Sequence, residues 1–536
     1  MSLNILDCSL RDGGYYNLWN FRLKSVQEYI NKVSEANIKF IEIGFRFFKK
    51  NSKFGNLAFS EDQYIKKLKV NKKISLAVML NGSDIVNLGN QWKFFLNKIF
   101  SNQKESQIKI IRIATHFDEI YKISEQIKFL KSKNYKIFIN LMQINRVSAV
   151  NLKKFLIHLN KLKCIDVFYF ADSLGCLRAR DVENICCVIK KNWHRSFGFH
   201  AHDNCGFALQ NSLTAIKNGA TWIDSTIQGM GRGAGNVRTE SLITELIYLN
   251  KKNINYKIDP IFDLAQGYFL DLKRKYNWGS SVYYTLAANH NIHPTYIQEI
   301  LSENRYEHTQ IMKIIYLLKE YPLASSYNSN FLKENLFNKV SPYYWNAKNF
   351  FKDKTIVIIG QGPSAKNNKK KILKFIKIKK CVTFCLNINK FFLSKKYYNI
   401  ISHEVRALID QIEYKKINRI IMPLSRLNPV LKKNINKKNI KDYGLIINPD
   451  HINVRDTYAE LPNALAIGYA LSICKASSVK KVYLVGFDGY LDKEEVNLEM
   501  ELYFKQLVQY FKKLNIQSLT KTQYSSLPIS NLLKNE

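Results

Sequence analysis

The stretch IKIIRIATHFDEIYKISEQIKFLKSKNYKIFINLM (108–142) decides the fold. Its two ends, IKIIRIA (108–114) and KIFINLM (136–142), are near-continuous apolar runs, as strands buried on both faces require. Between them Glu119–Lys133 carries apolar residues every three or four positions, which predicts a helix. Strand, helix and strand in that order make a parallel unit covered by its own helix. Working outward, the same runs recur at NILD (4–7), FIEIGF (40–45), ISLAVML (74–80), IDVFYFA (165–171), SFGFHA (196–201) and WIDSTI (222–227). Helical periodicity lies between them, as in Lys24–Ala36 and Val182–Lys191. Eight such units in about 250 residues is the size of a (β/α)8 TIM barrel.

Past about residue 255 the strand signal stops. Ile261–Asn277 and Pro294–Tyr321 read as helices, with Pro294 at a start and Pro322 ending the run. A second α/β pattern begins near Phe350: strand Lys354–Ile359, turn GQGPS (360–364), helix Lys366–Lys377 and strand CVTFCLNIN (381–389). A late pair, ALAIGYALSICK (464–475) and KKVYLVGFDGY (480–490), closes a Rossmann-like unit, while the Lys/Asn-rich 431–441 reads as a loop. The expected organisation is α/β throughout: a TIM barrel over 1–255, a helical extension over 256–345 and a Rossmann-like domain over 346–536.

His200 and His202 stand two apart at the end of the seventh strand, so both side chains fall on one face. Asp12 follows the first strand, and strand ends are where a barrel builds its catalytic mouth. Two imidazoles and one carboxylate suit a divalent metal acting as a Lewis acid.

Six motifs then occur in order: LDCSLRDGGYY (6–16), IEIGF (41–45), RIATH (112–116), ADSLG (171–175), FHAHDN (199–204) and GMGRGAGN (229–236). Together they resemble the family of 4-hydroxy-2-oxovalerate aldolase, hydroxymethylglutaryl-CoA lyase and isopropylmalate synthase. WGSSVYY (278–284) and His293–Pro294 extend the similarity into the helical segment. The resemblance implies Asp12, His200 and His202 as ligands of Mn2+, Mg2+ or Co2+, with Asn236 completing the site. It implies Arg11 as the stabiliser of an enolate oxygen and Ser173 as a contact for the carboxylate of pyruvate. Glu42 and Asp172, at strand ends, are candidates to orient Arg11 or a ligand histidine or to bind substrate. Glycines 229, 231, 233 and 235 read either as a loop that closes over substrate or as a plain turn.

The chain also departs from the family. Where the hydroxyoxovalerate aldolases carry a histidine base after RDG, Tyr15 and Tyr16 stand, and the lyase branch's loop cysteine is absent. Tyr15, His116 and His293 are therefore the candidates for proton transfer. In the C-terminal part, TIVIIGQGPS and LPNALAIGYALSICKASSVKKVYLVGFDGY (461–490) are similar to bacterial sialyltransferase-like domains that use CMP-sialic acid. Gly360, Gly362 and Ser364 are candidates to cradle a phosphate, with Asn387, Asn389 and Asp488 as further nucleotide contacts.

A formal charge of +39 points to polyanions, but the lysines are scattered among Asn and Ile with no run longer than Lys369–Lys371, so composition rather than nucleic-acid binding is expected. Nine cysteines without a paired CxxC argue against a zinc site. The start lacks a basic segment followed by an apolar core and no apolar run reaches a membrane span, so a cytoplasmic enzyme, oligomeric or not, is expected. The reading is an aldolase joining or splitting a 2-oxo acid and an aldehyde, with a nucleotide or nucleotide sugar at the C-terminal domain and a place in surface-polysaccharide or higher-sugar metabolism. The alternatives are an acyl-CoA-dependent Claisen enzyme of the isopropylmalate synthase type and a glycosyltransferase-led protein with an accessory barrel.

Overall fold

The computed structural model describes residues 3–249, 255–302, 308–319, 324–325, 344–403, 406–407, 417–427, 439–448, 451–490 and 494–530. The chain divides into two compact units, Met1–Glu299 with Tyr321–Tyr327, and Ile300–Glu320 with Asn328–Glu536.

In the first unit eight parallel strands close a barrel in chain order: β1 (Asn4–Asp7), β2 (Phe40–Phe45), β3 (Ser75–Asn81), β4 (Ile108–Thr115), β5 (Lys136–Leu141), β6 (Val167–Asp172), β7 (Phe197–Ala201) and β8 (Trp222–Ser225). All eight apolar runs become strands because each is buried from the lumen side and from the helix side. The helix Leu23–Glu35 buries Val26, Tyr29, Ile30 and Val33, one stripe at helical spacing. The helix expected from Glu119 starts at Ser124, since the Glu119 carboxylate accepts from the His116 amide at 2.8 Å and locks a turn there. RDGG is helical within Ser9–Asn17. Its glycines answer to packing: a Cβ on Gly14 would strike the Trp19 ring, and one on Gly13 would lie 2.5 Å from Met230 Sδ.

Inside the barrel the side chains lie in layers. Leu6, Ala77, Ile110, Phe138, Tyr169 and Trp222 form an apolar floor, with Phe40 packed against it. Two residues further along the same strands, hence on the same face, stand Glu42 after Phe40, Arg112 after Ile110 and Asp224 after Trp222. The lumen thus changes from hydrocarbon to charge within one layer.

After β8 the expected single helix over 261–277 breaks at Gly267 into Asp259–Gln266 and Tyr268–Tyr276. The expected 294–321 helix forms as Pro294–Ser302 and His308–Lys319. Tyr321, Pro322 and residues 326–343 of the helical segment lie outside the described residues.

The second unit holds a seven-stranded, all-parallel sheet built on β9 (Thr355–Ile359). β10 (Val382–Leu386), β11 (Tyr398–Ile400), β12 (Ile420–Ile421) and β13 (Ile440–Lys441) extend it to one side. β17 (Lys481–Val485) and β18 (Ile516–Ser518) extend it to the other. Ile356 and Ile358 face the helix Ala466–Ala476, while Val357 and Ile359 face Lys369–Ile378, so helices cover both faces as in a doubly wound sheet. A separate small sheet pairs β16 (Tyr458–Leu461) with β14 (Gly444–Ile447) and β15 (Asn453–Val454). Ile440–Lys441, read as loop, is strand because it pairs with Ile420 and Ile421, and 431–438 lies outside the described residues.

Gly198 is the position where the floor is least forgiving. A Cβ there would meet the Tyr169 ring at 2.5–2.7 Å. Gly198→Val is expected to destabilise the barrel by about 1–3 kcal/mol, as overpacked cores do. A lowered thermal unfolding midpoint of the full chain checks this; an unchanged midpoint contradicts the tight floor.

Candidate active site

Six side chains close a ring above the floor. Arg11 Nη1 pairs with Asp12 Oδ1, and Arg11 Nε donates to Glu42 Oε2 at 2.7 Å. Glu42 Oε2 also accepts from Arg112 Nη1 at 3.0 Å, and Arg112 Nη2 reaches Asp224 Oδ2 at 2.6 Å. Asp224 Oδ2 lies 2.8 Å from His200 Nδ1, and His200 Nε2 lies 3.5 Å from Asp12 Oδ2, which completes the circuit. None of the six is more than 4% exposed. Burial opposes the ionised form of the Asp12 carboxyl, but Arg11, His200 and His202 bring it down to about 2. Asp224 is likewise below the usual carboxyl range, because Arg112 and His200 outweigh its burial.

The donor set fits a divalent cation. Asp224 occupies His200 Nδ1 and so leaves Nε2 turned to Asp12, the carboxylate–histidine pairing that orients metal-binding imidazoles. His202 packs against His200 with ring centroids 5.0 Å apart, and Asn236 Nδ2 donates to Asp12 Oδ2 at 2.6 Å. His202 Nδ1 and Asn236 Oδ1 are buried without a hydrogen-bond partner. Unsatisfied buried acceptors are costly, and a cation satisfies them. Cys8 also contributes a ligand atom within 4.8 Å of those of Asp12 and His200. Burial, with Asp12 and Asp224, pushes its thiol well up, and it donates to Ser225 O at 3.4 Å. Oxygen and nitrogen are the donors in hand.

The remaining predicted residues separate into two groups. Tyr15 lies with Arg232 over its ring at 5.3 Å, and the charges of Arg11 and Asp12 act on it. His293 is buried, and burial with the charges of Arg232, His202 and His116 lowers its pKa well below the ordinary value. Ser173 Oγ accepts from the Gln143 amide at 2.9 Å, which leaves its hydroxyl proton to donate. Glu42 orients Arg11 and is shared with Arg112 through Oε2, while its Oε1 is buried without a hydrogen-bond partner. Asp172 is spent elsewhere: it accepts from the amides of Cys176 and Leu177 at 3.1 and 3.0 Å, and burial raises it to about 6. The carboxylate that orients His200 is Asp224 instead. Arg112, Asp224 and Arg232 were not singled out from the sequence. For the first two the signal was present as charged residues two after an inward apolar one on the same strand.

The loop 229–236 is fastened rather than free. Gly233 O accepts from Tyr16 Oη at 2.8 Å, Gly233 N donates to Gln298 Oε1 at 3.1 Å, and Asn236 N donates to Gly229 O at 3.1 Å. Gly233 has φ 67° and its Cβ would meet Pro294 Cβ at 2.8 Å, so glycine is needed for conformation and for space.

In the second unit the loops after β9, β10 and β17 meet where the strand order reverses. Gly360 N donates to Val485 O at 2.8 Å and Gly362 N to Gly486 O at 3.0 Å. A Cβ on Gly362 would strike Asp488 Oδ2, and that oxygen accepts from Ser364 N at 3.2 Å. Ser364 Oγ is buried without a hydrogen-bond partner. Asn389 Nδ2 donates to Gly360 O at 2.9 Å, whereas Asn387 supplies a left-handed turn (φ 55°) at the end of β10. Gly360, Gly362, Ser364, Asn389 and Asp488 are thus together.

The comparisons with known proteins bear on the barrel. The HMGL-like family model matches residues 2–266. The 4-hydroxy-2-oxovalerate aldolase of Carboxydothermus hydrogenoformans is 30% identical over 267 residues, 49% of this chain and 76% of that protein. Its counterpart in Geobacillus genomosp. 3 is 28% identical over 275 residues, 50% of this chain and 77% of that protein. Among solved structures, the N-terminal domain of an aldolase candidate from Bacteroides vulgatus is 30% identical with a TM-score of 0.50, covering 58% of this chain and 100% of that one. With the barrel, the ordered motifs and a relative matched over three quarters of its length in agreement, the chain belongs to the HMGL-like family of aldolases and lyases.

Proposed function

We propose that the barrel is a divalent-metal aldolase that makes or breaks a carbon–carbon bond beside a 2-oxo acid such as pyruvate, with an aldehyde as second substrate. The observation that carries this reading is Arg11, a guanidinium buried and fixed by Asp12 and Glu42 whose Nη2 has no hydrogen-bond partner. A preorganised cation with an unused donor suits an oxygen that becomes negative only during reaction, as an enolate oxygen does. A divalent cation held by Asp12, His200, His202 and Asn236 would supply Lewis acidity toward the 2-oxo group, with Mn2+ preferred and Mg2+ or Co2+ as alternatives.

In the condensing direction the carbon beside the ketone loses a proton. The enolate carbon then bonds to the aldehyde carbon, and the aldehyde π pair passes to its oxygen, which takes up a proton. Cleavage reverses these steps. We assign the proton movements to Tyr15, His116 and His293. His293 is held neutral, able to accept a proton, while burial raises the Tyr15 pKa and keeps its phenol protonated, able to give one. Ser173 Oγ–H is left to hold the substrate carboxylate.

For the second unit we propose a nucleotide, most plausibly a cytidine phosphate. The carboxylate of Asp488 already takes the Ser364 amide, so the group it suits is a donor such as the ribose hydroxyls, not a phosphate. An aldolase joined to a nucleotide-binding unit fits the making or trimming of a higher sugar acid for a surface polysaccharide. No helix among the described residues is long and apolar enough to cross a membrane.

Three outcomes are expected. Elemental analysis should find one divalent ion per chain in the wild type, a sharp loss in His200→Ala and an affinity about 10–100-fold weaker in Asp224→Asn; unchanged metal content in His200→Ala contradicts the site. Arg11→Ala should keep the metal but lose about 10²–10³ in the rate of pyruvate methyl-proton exchange, the cost of one oxyanion donor; near wild-type exchange refutes the role. Calorimetric titration of the full chain with CMP should show binding that weakens roughly tenfold or more in Asp488→Asn, as loss of a charged acceptor implies. Tighter binding in that variant would mean that the turn amides hold phosphate after all.

A further inference from the structure

The ring places one guanidinium beside Asp12, but the site holds a second that the chemistry above does not use. Arg232 stands in the fastened loop 229–236, half-buried, with its guanidinium over the Tyr15 ring at 5.3 Å. Its Nε is buried without a hydrogen-bond partner, and no ion pair to it occurs among the described residues. The two fully buried guanidiniums of the site have carboxylates: Arg11 has Asp12 and Glu42, and Arg112 has Glu42 and Asp224. An Nε–H shut off from water without a partner is costly, and an anion held bidentately by Nε and one Nη would satisfy it. The loop cannot swing it away to water cheaply, since Tyr16, Gln298 and Asn236 tie the backbone on both sides.

Its position also separates it from the enolate end. Arg11 is 4% exposed and pairs with Asp12 and Glu42 in the ring, whereas Arg232 lies on the loop after β8 with its guanidinium over the Tyr15 ring. Its charge reaches Tyr15 and His293, the groups assigned to proton transfer, and also His202 beside them. With the Asp12 end already served by Arg11, a ligand anion at Arg232 is assigned to the partner that arrives over Tyr15 and His293.

Resting on the aldolase reading, we propose that Arg232 is a specificity-determining residue that selects an aldehyde bearing an anionic group, a carboxylate or a phosphate. A guanidinium pairs with either through two parallel N–H···O bonds and gains nothing from a neutral alkyl chain.

The test compares propanal, succinic semialdehyde and glyceraldehyde 3-phosphate with pyruvate, in the wild type, Arg232→Gln and Arg232→Lys. In the wild type kcat/KM should favour at least one anionic aldehyde over propanal by roughly 10- to 100-fold, the worth of a charged hydrogen bond. Which of the two is favoured identifies the anion. Arg232→Gln should erase the preference, slowing the anionic substrate roughly 10- to 100-fold more than propanal, and Arg232→Lys should restore part of it. Pyruvate methyl-proton exchange in the absence of aldehyde reports on the aldolase reading separately. If exchange occurs but the wild type shows no anionic preference, the inference about Arg232 is overturned. The same holds if Arg232→Gln slows neutral and anionic aldehydes equally, because the arginine would then serve the 2-oxo acid or the loop. If exchange is absent, calorimetric binding of succinic semialdehyde decides: binding lost in Arg232→Gln supports the anion site, and equal binding in both proteins overturns it.

Discussion

The barrel depends on a circle of buried charge. Arg11, Glu42, Arg112, Asp224, His200 and Asp12 come from five places in the chain, and each has its partner only when β1, β2, β4, β7 and β8 are in register. Removing one member of a buried ion pair typically costs about 3–5 kcal/mol, because the survivor is left uncompensated. A one-residue slip in β4 would turn Arg112 out of the lumen and leave Glu42 and Asp224 facing each other. The charges that serve chemistry thus also report correct strand pairing. Tyr169 reinforces this from below, with Arg112 Cζ 4.4 Å above its ring, and Gly198 exists to make room for that ring.

What the sequence showed and what it hid follow from range. Eight strands were legible because burial on both faces leaves a local mark, a short apolar run. The metal-ligand candidates were legible because His200 and His202 are two apart and Asp12 follows the first strand. Asp224 was not, since it lies 24 residues from the histidine it orients and looks like one polar residue in WIDSTI. Asp172, equally plausible on paper, satisfies amides four and five residues on, a local use that only the turn geometry reveals. The helix over RDGG left no mark in the sequence either, since the need for its glycines comes from Met230 and Trp19, which pack against them.

The second unit shows the same ambiguity in another form. A glycine pair after a strand admits either a ligand's phosphate or a neighbouring loop, and both require the missing Cβ. Here the neighbouring loop is present: Gly486 O and Asp488 lie where a side chain on Gly362 would go. That shifts the ligand question from the amides to Asp488 and to the crevice at the reversal of strand order, where doubly wound sheets bind.

The layering of the barrel also explains where chemistry and selectivity can differ. Altering one member of the circle of charge leaves its neighbours' charges uncompensated, because each pairs with two others. Arg232 carries no such obligation: its neighbours are an aromatic face and its own loop's backbone, so exchanging it leaves no buried carboxylate behind. The enolate-forming end and the group on the loop after β8 are therefore separable in this barrel. By that logic Arg232, rather than any ring member, is the residue of this chain that can set which aldehyde it accepts while the ring stays intact.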